Sequence, residues 1–134
     1  LHAAAAFLLK NNKENYECRI DKNTKLPFIG IHKAVESIIQ LMSADDIQSK
    51  LRTFNIEEVS LTPNDIIRIL QKEFPKFNIS YNIEEKLQSV ADTWPDSLNC
   101  EKAKKEWSFS NKHDKKSFFM EYLIPTVKEY YGRH

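Results

Sequence analysis

An α/β fold, helix-rich with a few short strands, is predicted for this 134-residue chain by three observations. Apolar residues recur at helical spacing in several segments, stretches of period-two alternation are brief, and turn or capping residues separate the two kinds. Residues 1–134 contain no repeat, low-complexity tract or linker, and the length suits one domain or part of one, large enough to bury a core.

Residues 1–10 read as a helix whose apolar run, 3–9, is buried. That run is far too short to span a bilayer, and no basic residue precedes it as in a secretory signal. After the polar stretch 11–15, residues 16–20 alternate as a short strand and 21–24 form a turn. Pro27 leads into an extended segment at 28–31. Val35, Ile38, Ile39 and Met42 then mark an amphipathic helix over 32–43, and 52–56 reads as a strand.

Thr62, Pro63, Asn64 and Asp65 carry the clearest local signal. Thr62 caps exposed N–H groups, Pro63 fits the first helical position where no donor is missed, and Asp65 suits the positive end of the dipole. Ile66, Ile67, Leu70 and Phe74 form the buried stripe, and Pro75 ends the helix. Residues 78–81 form a short strand, 84–90 a helical turn or strand approach, and 101–107 a short helix. Asp114 opens the last helix, with Phe119, Leu123, Val127 and Tyr130 on one face and a kink expected at Pro125.

Lys plus Arg (20) nearly cancels Asp plus Glu (19), so no global field points to nucleic acid or to a membrane. Cys18 and Cys100 match no zinc or redox spacing and read as free buried thiols. His2, His32, His113 and His134 share no spacing that suggests a metal site. Only Gly30 and Gly132 occur, so the chain cannot build the glycine-rich turn that brings backbone N–H groups to a dinucleotide pyrophosphate. Four residues after Tyr16, Tyr81, Tyr122 and Tyr130 stand Ile20, Glu85, Thr126 and His134, so there is no Tyr-x-x-x-Lys pair either.

Both tryptophans lie close together, in Ala91, Asp92, Thr93, Trp94, Pro95 and in Ala103, Lys104, Lys105, Glu106, Trp107. With Thr24-Lys25-Leu26-Pro27-Phe28, Arg52-Thr53-Phe54-Asn55-Ile56, Ser60-Leu61-Thr62-Pro63 and Phe77-Asn78-Ile79-Ser80-Tyr81, this series resembles the C-terminal part of the NAD-dependent L-threonine 3-dehydrogenases of the extended short-chain type. Several matches in order, with the right gaps, are more specific than any one of them. The resemblance implies a single C-terminal substrate-binding portion, with the NAD-binding Rossmann half absent from this chain. The whole enzyme so implied oxidises L-threonine to 2-amino-3-oxobutyrate. NAD would be bound by that other half, no metal is needed, and the enzyme is an intracellular homodimer, mitochondrial or cytoplasmic.

No residue of this chain is assigned to catalysis or to the cofactor. The resemblance points Trp94 at the active-site cleft, where a flat indole excludes water and packs on a small amino acid's methyl group. Asp92 and Thr93 either orient the substrate ammonium or hydrogen-bond local backbone. Trp107 and Phe109 read as core. The sequence departs from the family's pattern at Gly30, where an aromatic residue is usual, at His32 and Lys33, where two aspartates are common, and at Ser108, where glycine is usual. Rival readings are a fragment of a sugar-nucleotide epimerase or dehydratase, and a non-catalytic remnant acting as an interaction module.

Overall fold

The computed structural model describes residues 15–44, 53–111 and 113–131, so the helix expected at 1–10 lies outside the described residues. The chain order is β1 (Asn15–Cys18), β2 (Leu26–Phe28), α1 (Ile31–Met42), β3 (Val59–Leu61), α2 (Pro63–Glu73), β4 (Asn78–Tyr81), α3 (Glu85–Ala91) and α4 (Glu101–Trp107). The last helix runs as α5 (Lys115–Ser117), a π-helical stretch at Phe118–Leu123, and α6 (Ile124–Tyr131).

The strands form two separate pairs. β1 lies parallel to β4, with Asn15 opposite Asn78 and Cys18 opposite Tyr81. A parallel pair needs a long crossover, and the segments carrying α1 and α2 supply it. β2 runs antiparallel to β3, with Leu26 opposite Leu61 and Phe28 opposite Val59. The strand expected at 52–56 is not formed at 53–56, and Arg52 lies outside the described residues. Phe54 and Ile56 instead turn their side chains onto the Trp107 cluster. The strand comes three residues later, where β2 offers hydrogen-bonding partners.

Helix α2 begins as its sequence dictates. Thr62 Oγ1 accepts a hydrogen bond from the Asp65 N–H at 3.0 Å, and the Asp65 carboxylate accepts one from the Thr62 N–H at 3.1 Å. Lys115 Nζ, 2.8 Å from Asp65 Oδ2, ties this cap to the last helix and holds the Asp65 carboxyl below the usual carboxylate range. Its stabilisation is therefore complete above the usual carboxylate pKa and is lost as pH falls through the lowered one. Ile67 and Leu70 are buried, and Phe74 ends the helix before Pro75.

Among the described residues, three apolar clusters make the core. Val59 and Leu61 of β3 pack with Phe118, Phe119, Leu123 and Ile124 of the last helix. Ile67, Leu70 and Phe77 form a second cluster, which Ile66 joins to the first. Cys100, Ala103, Trp107 and Phe109 form the third, under Leu41 of α1, so Trp107 and Phe109 are core as expected. Both cysteines are free and buried. The irregularity expected at Pro125 takes the form of the π-helical turn just before it, which accommodates a ring that cannot donate a backbone hydrogen bond.

The start of α1 is crowded. A Cβ at Gly30 would lie 2.8 Å from the Tyr122 ring, so the aromatic ring packed here comes from the last helix instead of from position 30. Tyr122 Oη accepts from the Ile31 N–H at 2.8 Å, and Glu58 Oε2 accepts from the Gly30 N–H at 3.0 Å.

Ser108, which caps α4, has φ 60° and ψ 30°, the left-handed region that disfavours a Cβ. This explains why glycine suits the position. Ser108→Gly is expected to stabilise the chain by about 1 kcal/mol. A urea midpoint unchanged or lowered by the substitution would contradict this.

Candidate functional site

A groove of about 390 Å³ lies between the β1–β4 pair, α2 and the end of α3. Leu61, Leu70 and Phe77 are its most deeply buried walls, and Leu87, Val90 and Trp94 form one rim. Its lining contains no carboxylate, and its one guanidinium, Arg19, is paired with Glu84.

That rim is held by polar contacts from the β1–β2 connection. The Glu84 N–H donates to the Arg19 carbonyl at 2.9 Å, and the Arg19 guanidinium meets the Glu84 carboxylate. Gln88 is the main fastening. Its Oε1 accepts from the Asp21 N–H at 2.7 Å, while its Nε2 donates to Thr24 Oγ1 at 2.8 Å and to Asp92 Oδ1 at 2.6 Å. Helix α3 has seven residues and no buried one, so its own packing cannot fix it. Gln88 locks it to the sheet side and thereby sets where Trp94 stands. No local pattern in the sequence marks this fastening, because the partners that tie Gln88 to the sheet side, Thr24 and Asp21, are 64 and 67 residues away.

The three residues singled out from sequence fall on one turn after α3. Thr93 Oγ1 donates to the Val90 carbonyl at 2.7 Å, and Asp92 accepts from Gln88, so both side chains are engaged with their own helix. Trp94 is 57% exposed and is the one of the three that lines the groove. Trp107, by contrast, is buried and meets Phe54 edge-on at 5.8 Å.

Tyr16 lines the groove, and burial, with a smaller contribution from Cys18, pushes its phenol pKa up. Tyr81, on the paired strand, is raised for the same reason, with Cys18 and Asp21 adding to it. A phenol acting as base at neutral pH needs the opposite shift. Among the described residues no group of three or more His, Cys, Asp or Glu is placed to hold a metal ion. No helix among them is long and apolar enough to cross a membrane. Among the described residues, the start of α1 does not fit a dinucleotide. Gly30 sits under the Tyr122 ring, and the first N–H groups of α1, which a pyrophosphate would need, are taken by Glu58 and Tyr122.

No family model matches the chain. Mitochondrial L-threonine 3-dehydrogenase from Sus scrofa is 31% identical over 94% of this chain and 32% of its own length. An uncharacterized epimerase/dehydratase of Staphylococcus aureus is 33% identical over 84% of this chain and 36% of its own length. Among solved structures, L-threonine dehydrogenase from Clostridium difficile matches with a TM-score of 0.83 and 31% identity, over 94% of this chain and 39% of that one. The chain thus spans about a third of the length of the curated relatives it matches.

The fold is that of the C-terminal part of an extended short-chain dehydrogenase, helix-rich with a few short strands. Within that class its relatives and structural neighbours are L-threonine 3-dehydrogenases and epimerase/dehydratases, matched over a C-terminal portion.

Proposed function

We propose that this chain is the substrate-binding portion of an NAD-dependent L-threonine 3-dehydrogenase, inactive by itself. The observation that carries the reading is the likeness to L-threonine 3-dehydrogenases along 94% of the chain, in sequence and in structure. Trp94 supplies the contact. Its exposed indole stands at the groove's rim, where it would cover the methyl group of a small amino acid and keep water from the reacting carbon. Asp92, fixed by Gln88, and Thr93, bonded to the Val90 carbonyl, would hold the turn on which Trp94 stands. The groove's lining is mostly apolar and its one guanidinium, Arg19, is already paired with Glu84, so the substrate's other polar contacts, the NAD and the catalytic base would come from polypeptide outside this chain.

The match to the epimerase/dehydratase supports a second reading, in which the substrate is a nucleotide sugar. One experiment separates the two. The 134 residues are spliced in place of the matched part of the Clostridium difficile enzyme, and NADH formation from L-threonine and NAD is followed. The splice is expected to turn over threonine, the chain alone to produce no NADH, and Trp94→Ala in the splice to lower kcat/KM by about tenfold or more. Turnover by the chain alone, or a folded splice inert towards threonine but active on a nucleotide sugar, would overturn the threonine reading.

A further inference from the structure

The groove beside Trp94 is far larger than a methyl group needs. An apolar cavity of about 150 Å³ lined by Leu, Ile and Phe takes up a benzene ring. This groove, at about 390 Å³, has more than twice that volume, and its floor is of the same kind. Leu61, Leu70 and Phe77 are each 1–2% exposed there. At the rim, Leu87, Val90 and Trp94 are 41%, 55% and 57% exposed although all three line the groove. They fall at i, i+3 and i+7 along α3 and the turn after it, so they form one apolar edge along the opening. Large apolar side chains that line a concavity and still meet water favour an apolar occupant.

The polar groups at the groove are engaged within the chain. The Arg19 guanidinium meets Glu84, Thr24 Oγ1 accepts from Gln88 Nε2 at 2.8 Å, and Cys18 Sγ donates to the Ile20 carbonyl at 3.4 Å. Tyr16 stays a neutral phenol, because burial pushes its pKa up. A sugar ring entering here would give up water for few hydrogen-bonding partners, whereas a hydrocarbon group gives up none.

We propose that the preferred substrate is a 2-amino-3-hydroxy acid whose C3 carries an apolar group larger than methyl, an aryl group above all. That group fills the groove from Trp94 down to Leu70 and Phe77, while the amino and carboxylate groups stay outside it. This rests on the proposed function, because it takes the groove to be part of the substrate site of such a dehydrogenase. The reaction itself is unchanged. The C3–H bond breaks with its hydride passing to NAD and the hydroxyl proton to a base, both held outside this chain, so that the 3-oxo acid, NADH and a proton result. Threonine, whose one methyl group reaches only the rim, is the lesser substrate of the same site.

The test uses the splice of the 134 residues into the Clostridium difficile enzyme, given L-threo-3-phenylserine or L-threonine with NAD. One methylene more in an apolar pocket is worth about 10–200-fold, so kcat/KM for phenylserine is expected to exceed that for threonine by about tenfold or more. Ala91→Phe puts a further ring into the groove beside Trp94 and is expected to cut the phenylserine-to-threonine ratio by about tenfold. Val90→Trp, at a half-exposed position on the same rim, narrows the same opening and replaces the first variant if that one does not fold. Turnover of threonine with phenylserine no better overturns the proposal and leaves the threonine reading standing. A preference for phenylserine that the folded variants do not change overturns it as well, since the ring would then lie elsewhere. A folded splice inert towards both amino acids removes the threonine reading and this proposal with it.

Discussion

Phe119→Ala is expected to remove about 3–5 kcal/mol of stability, enough to unfold a chain of ordinary marginal stability. The ring is fully buried, meets Phe118 edge-on at 6.0 Å, and fills the space between β3, α2 and the last helix. Its removal takes away the transfer free energy of a whole phenyl group and opens a cavity. The surrounding parts cannot close that cavity, because they come from three different elements. Met120, next in the chain, points outward. Met120→Ala is the matched control and should stay within about 0.5 kcal/mol of the parent. Urea unfolding followed by tryptophan fluorescence measures both. A Phe119→Ala loss below about 1 kcal/mol, or equal losses at the two positions, would contradict the packing described.

Glu58→Ala is expected to cost about 2–5 kcal/mol, by a different route. The side chain is buried, yet both of its oxygens are used. Oε2 accepts from the Gly30 N–H, and Oε1 lies 2.5 Å from His113 Nδ1. Truncation leaves a buried backbone donor and a largely buried imidazole without this partner, a penalty greater than the net worth of the bonds themselves. Glu58→Gln keeps a carbonyl oxygen for Gly30 and an amide for His113, so it should lose only about 1 kcal/mol. If the alanine and glutamine variants unfold at the same urea concentration, the hydrogen-bonding account of Glu58 is wrong and the carboxylate charge, lost in both, is what matters.

The parts of this fold that could be read from sequence are those encoded by neighbours in the chain. Thr62, Pro63 and Asp65 announce α2, and Asp114 opens the last helix through a reciprocal bond with Ser117, because a cap is made by residues three apart. The strands at β1 and β4 were legible from alternation, although their parallel pairing was not. What failed at 52–56 failed because alternation gives strand propensity without a partner, and a strand forms only where another edge receives it. Helix α1 exposes Ile31, Val35, Ile38, Ile39 and Met42 and buries Lys33 and Ser37, an inversion invisible for a related reason. Periodicity shows that a helix has two faces, while which face is buried depends on what else packs there. At the candidate site, Trp94, Thr93 and Asp92 were singled out through a resemblance to a family, and of the three Trp94 lines the groove. Gln88, Glu58 and His113 were missed, since each acts on residues 28 to 67 positions away and none leaves a local mark.

The crowded start of α1 bears on the order in which the chain can fold. His32 and Lys33 put cationic-type residues where a helix prefers acids, Gly30 has no side chain to cap with, and the first turn contains no acidic residue. Its opening N–H groups are served by Glu58 and Tyr122, 28 and 91 residues further along. A helix capped from so far away gains that support only once distant chain has arrived, at the entropic cost of closing long loops. On a ribosome, the segment at 31–42 therefore emerges early and settles late, its apolar stripe in the open while the residues that will fasten it are still being made.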